Sequence, residues 1–259
     1  MKNIAFFDID GTLVSFKTHN IPVSTLSALT QLNRKGTEIV IATGRAAEGI
    51  REIAGVPYSA IIGLNGSECI LSDGTIVTQH HIPSDLLEKA FELGKEYDFA
   101  IAAKFKEGFV VDRITPRVEA MSASIGHPLP NVRNLRDLNR TEQSGQLCFF
   151  TDTETERKIM PFLPGLKASR WCDIFADINL NGIDKGTAIR EYTKFRNMNI
   201  KDTIAFGDGA NDMPMLLAAG TGIAMGNASG QVKAIADHIT DNVDNDGIAK
   251  ALQFYGLIS

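Results

Sequence analysis

The sequence has only three cysteines, Cys69, Cys148 and Cys172, and no Cys-x-x-Cys pair. A zinc site or a disulfide framework is therefore not expected, and a reducing cytoplasm is the default location. In that compartment the Asn-x-Ser/Thr sequons at Asn139 and Asn227 carry no meaning. Positive charge is not in excess: 26 Lys+Arg against 31 Asp+Glu leave a net charge of -5. Nucleic-acid and membrane-surface proteins need a basic face, so neither class of partner is expected. No apolar run approaches the ~20 residues that cross a bilayer. The start, through Phe6-Phe7, resembles a signal peptide only briefly, because Asp8 and Asp10 cut the apolar run short. No Gly-x-x-x-x-Gly-Lys-Ser/Thr is present, which excludes an NTPase phosphate loop. There is no internal repeat and no low-complexity segment. What remains is ordinary globular composition, 44% hydrophobic and 22% charged. The 259 residues sit near the length at which one core splits into two.

The first third alternates strand and helix. Ile4 to Phe7 is a continuous apolar run, as in a strand buried on both faces. A helix follows, with Ser24 as N-cap, Leu26, Leu29 and Leu32 at helical spacing, and Gly36 closing it. Glu38 to Ala42 is a second strand, Ala46 to Ala54 a short helix, and Ala60 to Leu64 a third strand. This βαβαβ order predicts a parallel sheet with right-handed crossovers. The middle third changes character. Ser72-Asp73-Gly74-Thr75 marks a hairpin turn, Asp85 to Tyr97 a helix, and Phe99–Phe105 and Gly108–Asp112 two strands joined by a tight Lys-Glu-Gly turn. Arg117 to Ile125 and Glu154 to Leu163 read as helices, and Leu147 to Phe150 as a strand. Arg170 to Leu180 alternates like a single antiparallel strand. The stretch from Gly126 to Ser144 is rich in Pro and Asn and yields no assignment. The last third returns to the first pattern. Helices are expected over Lys185–Met198, Asn211–Ala219, Gln231–Asp237 and Asp246–Tyr255, with strands at Thr203–Phe206 and Gly222–Met225. The fold class is thus α/β: a doubly wound, Rossmann-like parallel-sheet core, 1–82 with 184–259, interrupted by an inserted α+β domain, 83–183.

Ligands of parallel α/β sheets bind at the carboxyl ends of strands. After the first strand comes Asp8-Ile9-Asp10-Gly11-Thr12, after the second Thr43-Gly44-Arg45, after the third Asn65-Gly66-Ser67, and after the Thr203 strand Gly207-Asp208-Gly209-Ala210-Asn211-Asp212. The predicted sheet brings these clusters to one edge. Unpaired, their carboxylates would repel and raise one another's pKa values. A hard divalent cation resolves the conflict, and an oxygen-only site suits Mg²⁺ and a phosphorylated substrate. One Asp can then be the nucleophile that forms an acyl phosphate, and a second, two residues on, the general acid and base. The Thr43 hydroxyl, backbone N–H groups after Asp8 and the Lys185 ammonium can hold the phosphoryl oxygens.

Asp8-Ile9-Asp10-Gly11-Thr12, Thr43-Gly44-Arg45, Lys185-Gly186 and Gly207 to Asp212 together resemble the four ordered motifs of the haloacid dehalogenase superfamily. Within it the chain is similar over essentially its whole length to the Cof-type phosphatases, whose type IIB α+β cap lies between the second and third motifs. The resemblance implies a phosphoric monoester hydrolase with Mg²⁺ as cofactor. Asp8 would be nucleophile and metal ligand. Asp10 would be general acid/base and would bind the metal through its backbone carbonyl. Thr43 and Lys185 would complete the catalytic set, and Asp208 and Asp212 the metal set, Asp212 through water. Gly11, Gly44, Arg45, Asn65, Gly66 and Asn211 would line the substrate site, with Asn211 between metal and phosphate. The implied partner is a small phosphorylated metabolite, a hexose or pentose phosphate first, with nucleotides and pyridoxal phosphate next. A phosphosugar mutase and a non-catalytic sugar-phosphate-binding regulator are the alternatives. A monomer or small homo-oligomer is expected.

Each residue also has a plainer explanation. Asp8 and Asp10 are turn formers, Thr43 is a good N-cap, and Asp208, Asn211 and Asp212 can cap the helix that follows them. Lys185 can be a solvated lysine, although a cation is unfavourable at a helix start. Asn242 to Gly247 resembles the start of a calcium loop but has Gln253 where the closing Glu belongs, so Asp246 is expected to cap the last helix. His80-His81 lacks a third ligand, Met213 and Met215 fit a core face, and Trp171 fits packing better than substrate stacking.

Overall fold

The computed structural model describes residues 4–48, 50–105, 108–125, 128–170 and 172–259. Trp171, Lys106 and Glu107 of the expected tight turn, Gly49 in the expected short helix and Gly126 at the head of the unassigned stretch lie outside the described residues. The chain divides into two compact units, Met1–Gln79 with Ile183–Ser259, and His80–Gly182. Among the described residues no helix is long and apolar enough to cross a membrane.

The first unit is built on strands β1 (Ile4–Phe7), β2 (Glu38–Ala42), β3 (Ala60–Gly63), β4 (Glu68–Leu71) and β5 (Ile76–Gln79). Its later strands are β12 (Thr203–Gly207), β13 (Gly222–Ala224) and β14 (His238–Ile239). They form one sheet in the order β14-β13-β12-β1-β2-β3-β4-β5. The pairs from β14 to β3 are parallel, and β4 and β5 extend the sheet antiparallel. β1 is central because its four residues are apolar and buried on both faces. Its alternate side chains enter two cores. Ala5 and Phe7 pack with Leu29 and Leu32 of helix α1 (Val23–Arg34) and with Ile248 and Leu252 of α9 (Gly247–Phe254). Ile4 and Phe6 pack on the other face with Ile189 and Tyr192 of α6 (Lys185–Phe195), Leu216 of α7 (Met213–Ala218) and Val232 of α8 (Gly230–Ile235). The sheet is doubly wound, as the sequence predicts.

The second unit has strands β6 (Ala100–Phe105), β7 (Gly108–Val111), β8 (Asn131–Val132), β9 (Leu147–Phe150), β10 (Leu166–Ser169) and β11 (Ala176–Leu180). Their order is β10-β11-β9-β6-β7-β8, antiparallel except for β7 with β8. Helices α2 (Ser84–Glu96), α4 (Leu135–Asn139) and α5 (Thr153–Ile159) cover one face through Leu87, Leu135 and Ile159. Helix α3 (Pro116–Ile125) packs Val118 and Met121 on the other face.

Several local expectations are corrected. Residues 46–48 and 50–54 are turns and irregular chain rather than a helix, because side chains claim the segment. The Ala47 N–H donates to Glu68 at 2.7 Å, and Glu52 turns back to Arg45. The Arg170–Leu180 run is not one strand; β10 and β11 form a hairpin, and the chain between them is held by Arg170 on Glu156 and by Arg117 on the Asp173 carbonyl. Ser24 does not cap α1; Pro22 occupies the N-cap, and the Ser24 hydroxyl donates to Asp246 at 2.5 Å. Asp246 in turn stands in the left-handed region at φ 60° and makes no side-chain cap on α9. The Glu154–Leu163 helix is α5 followed by a 3-10 turn at Met160–Phe162. β14 lies in a segment assigned no strand from the sequence.

Candidate active site

The carboxyl end of β1 opens into a loop that is bonded to itself. Within it the Gly11 N–H donates to the Val14 carbonyl at 2.8 Å and the Val14 N–H to the Ile9 carbonyl at 2.7 Å, while the Asp8 N–H pairs across to the Phe206 carbonyl of β12 at 3.1 Å. Gly11 is required twice over. Its φ is +83°, and a Cβ there would stand 2.5 Å from Phe16 Cε2 and closer still to Asp208 Oδ2. At the end of β12 a second loop carries Asp208 and Asp212. Asp212 Oδ2 accepts the backbone N–H of Asp208 at 2.9 Å and of Gly209 at 2.8 Å, so the loop is tied by its own carboxylate. Asp212 makes no side-chain cap on α7, contrary to the plainer explanation; its carboxylate ties the loop that precedes it and joins the cluster.

Lys185 is the first residue of α6, whose N-cap is Asp184, accepting from the Thr187 N–H at 2.8 Å. Its side chain is fully buried, and Nζ lies 2.6 Å from Asp8 Oδ1 and 2.6 Å from Asp212 Oδ1. A buried lysine at a helix N-terminus is held there by these two anions against the dipole. Asp8, Asp208 and Asp212 bring one carboxylate oxygen each within 4.8 Å of one another. The expected fourth carboxylate is not in this cluster. Asp10 is gripped by Arg45 through Nε at 3.0 Å and Nη2 at 2.6 Å, while Arg45 Nη1 reaches Glu52 at 2.7 Å. Arg45, expected to bind substrate, is committed to these two carboxylates.

The remaining expected residues gather around the same strand ends. Thr43 is buried and its hydroxyl accepts the Arg45 N–H at 3.1 Å. Gly44 faces the Asn65 side chain, where a Cβ would lie 3.2 Å from Oδ1. Asn65 Oδ1 accepts from Asn211 Nδ2 at 3.1 Å, linking the loops after β3 and β12. Leu64, Asn65 and Gly66 have consecutive positive φ values of 51°, 54° and 105°. At Gly66 a side chain would also meet the Asp184 carbonyl, 2.5 Å from Cβ.

The contacts of three residues are not legible in the sequence. Thr12 donates its hydroxyl to Asp208 Oδ1 at 3.1 Å, and Asn227 Nδ2 reaches Asp208 Oδ2 at 3.2 Å and the Gly11 carbonyl at 2.8 Å. The third is Glu52. Asn227 follows the apolar β13 run, so its place after a strand end is the sequence signal that marks it.

Electrostatically the cluster holds three carboxylates against one ammonium. Burial, and then the Asp212 carboxylate, push Asp8 well above the usual carboxylate range despite Lys185. Burial and Asp212 likewise raise Asp208 to about 7. Burial works against the Lys185 charge, but Asp212 and Asp8 hold its pKa above the ordinary lysine value. Lys185 is thus a permanent cation, and Asp8 and Asp208 retain protons that a dication would displace. The donors are all carboxylate oxygens, which fits Mg²⁺. Asp8 Oδ2 receives no hydrogen bond among the described residues and is free to serve as ligand or nucleophile.

The sequence profile of the haloacid dehalogenase-like hydrolases matches residues 5–252. The chain belongs to this family. A solved haloalkanoate dehalogenase superfamily phosphatase from Bacteroides thetaiotaomicron shares 44% identity with it at TM-score 0.95, covering 100% of this chain and 96% of that one. A solved sugar phosphatase of subclass IIB shares 31% identity at TM-score 0.92, covering 99% and 100%. A Bacillus subtilis (strain 168) protein provisionally named a phosphatase is 33% identical over 98% of each chain. The match to the hydrolase family spans both units and every polar loop described above, from Asp8 to Asp212.

Proposed function

We propose that this haloacid dehalogenase-like hydrolase is an Mg²⁺-dependent phosphatase of small phosphomonoesters, with hexose or pentose phosphates as its favoured substrates. The chain is a phosphoric monoester hydrolase; the cation, the substrate class and the role of each residue are the proposal. The observation that carries it is the buried Lys185, 2.6 Å from both Asp8 and Asp212, with Asp208 beside them. Binding alone needs no nucleophilic carboxylate at a buried cation. The subclass IIB sugar phosphatase supports the substrate class.

Asp8 and Asp208 would hold Mg²⁺ directly, with Asp212 behind them and the Asp10 backbone carbonyl completing the protein's share. The ion supplies charge neutralisation for the phosphoryl oxygens. Asp8 Oδ2 attacks phosphorus; the new O–P bond forms as the bond to the leaving oxygen breaks, and Asp10 gives that oxygen its proton. Asp10 then takes a proton from water as the water attacks the aspartyl phosphate, releasing phosphate and regenerating Asp8. Lys185 offsets negative charge in both steps, and Thr43 and Asn211 donate to phosphoryl oxygens. Gly11, Gly44 and Gly66 let their loops pass close to Asp208, Asn65 and Asp184, which draws the strand-end loops around the phosphoryl group, and Asn65 orients Asn211. Arg45 holds both oxygens of Asp10, so it would have to release one of them before Asp10 can carry the proton it gives to the leaving oxygen; it is better placed to aim that acid than to grip substrate. The second unit is assigned to substrate selection.

The test is phosphate release from a panel of sugar phosphates, nucleotides and pyridoxal phosphate, with Mg²⁺ or EDTA. Release that requires Mg²⁺ and is fastest on hexose or pentose phosphates is expected. Release that persists fully in EDTA overturns the metal role, and a nucleotide at the head of the ranking overturns the substrate class.

A second expected result needs no turnover. With Asp208 raised to about 7, the stability this group contributes is complete below its unfolded value of 3.8 and is lost as pH rises through about 7. Raised Asp8 acts in the same direction. Mg²⁺ binds the ionised set, so at a hundredfold excess over Kd it should stabilise by about 2.7 kcal/mol, roughly 5–10 °C in Tm. The rise should be largest at pH 8 and fade towards pH 5, where protons occupy Asp8 and Asp208. Melting curves across that range check it; a pH-independent rise counts against the cluster as the Mg²⁺ site.

A further inference from the structure

The mechanism above leaves Phe16 unused. It is a large apolar side chain, 58% exposed, on the loop that follows the nucleophile. Its ring edge borders the site: Phe16 Cε2 and Asp208 Oδ2 flank the same point, the place where a Cβ on residue 11 would stand. The loop that presents it is tightly held. Ser15 is buried, donates its hydroxyl to Asp244 at 2.5 Å, and accepts the N–H groups of Lys17 at 3.0 Å and Thr18 at 3.3 Å. Lys17 pairs with the same aspartate at 3.1 Å. The ends of the loop are joined by Ser15 N–H to the Asn20 carbonyl at 3.1 Å, and His19 takes φ +53° to complete the turn. A collapsing loop would tuck an aromatic ring into the core, whereas this one is braced on both sides of Phe16 and leaves the ring in water beside the reacting carboxylates. An exposed apolar group held rigidly at the rim of a polar site has the form of a ligand contact.

We propose that Phe16 is a specificity-determining residue that packs its ring against a flat apolar face of the substrate's leaving group, either the C–H face of a sugar ring or an aromatic ring. This rests on the phosphatase function proposed above. The phosphoryl group lies among the carboxylates, so only a leaving group wide enough to extend over Gly11 meets Phe16.

Three probes separate the cases: glucose 6-phosphate offers a sugar face, p-nitrophenyl phosphate an aromatic face, and acetyl phosphate neither. Phe16→Ala should lower kcat/KM about tenfold on one or both of the faced substrates, chiefly through KM, and Phe16→Trp should restore most of it. Acetyl phosphate should change less than twofold. The Mg²⁺-induced rise in Tm should match wild type, which shows that the carboxylate cluster is intact. Whichever faced substrate loses activity identifies the kind of leaving group. An equal loss on acetyl phosphate, or no loss on either faced substrate, overturns the proposal. A wild-type protein that releases phosphate from none of the three overturns the phosphatase reading, and this inference with it.

Discussion

Asp8→Asn is expected to abolish phosphate release, by at least about 10⁴-fold in kcat, without weakening the fold. The carboxamide has the shape of the carboxylate, and its oxygen can still accept from Lys185 Nζ, which lies 2.6 Å from Asp8 Oδ1 in the native protein. What it lacks is the anionic oxygen that, in the proposed mechanism, would form the acyl phosphate. Stability should move the other way. Asp8 is one of three carboxylates around one ammonium, and burial and Asp212 already make its charged form unfavourable. Removing that charge relieves the metal-free protein, so Tm in EDTA at pH 8 should equal or exceed wild type. Activity lost while Tm is kept or raised marks chemistry rather than unfolding. Activity within about a hundredfold of wild type would sink the covalent mechanism.

Lys185→Met should do the opposite to the fold. The substitution preserves the apolar stem and deletes the buried cation, leaving Asp8 and Asp212 facing each other without a counter-charge. Breaking a buried pair from one side costs about 3–5 kcal/mol, so Tm in EDTA at pH 8 should fall by roughly 10 °C. The loss should shrink at pH 5, where the raised Asp8 can protonate. Mg²⁺ should recover more Tm in this variant than in wild type, because it becomes the only cation in the cluster. It should not recover activity: kcat should stay about 10²–10³-fold low, since the phosphoryl oxygens would lose the fixed positive charge proposed for Lys185. Thermal melts with and without Mg²⁺, set beside phosphate release, check all three. A variant as stable as wild type in EDTA at pH 8 would mean that Lys185 is not what holds the two aspartates together.

The parallel core was legible because β1, β2, β3 and β12 are short apolar runs that stop at polar clusters, a pattern that only a doubly buried strand needs. The site followed from the same pattern, since strand ends in a parallel sheet share an edge. The partners within the site did not follow. That Arg45 would take Asp10, or Asn227 reach Asp208, depends on how loops approach across the sheet, and no local propensity records it. The absent helix at 46–54 failed for a related reason. Its residues permit a helix, but Glu68 and Arg45 offer the segment bonds that a helix would forgo. β14 is two residues long, His238–Ile239, and is a strand only because β13 offers it an edge.

The central place of β1 also bears on the order of synthesis. Its neighbours are β2, completed by residue 42, and β12, which begins at residue 203. On the ribosome the first strand therefore waits, with one edge open, until more than three quarters of the chain has been made. Residues 80–182 are contiguous, with a core of their own, and can fold during that wait. Asp8 meets Lys185 only when the segment after the insert arrives, so the reacting centre is assembled by the same late event that closes the sheet.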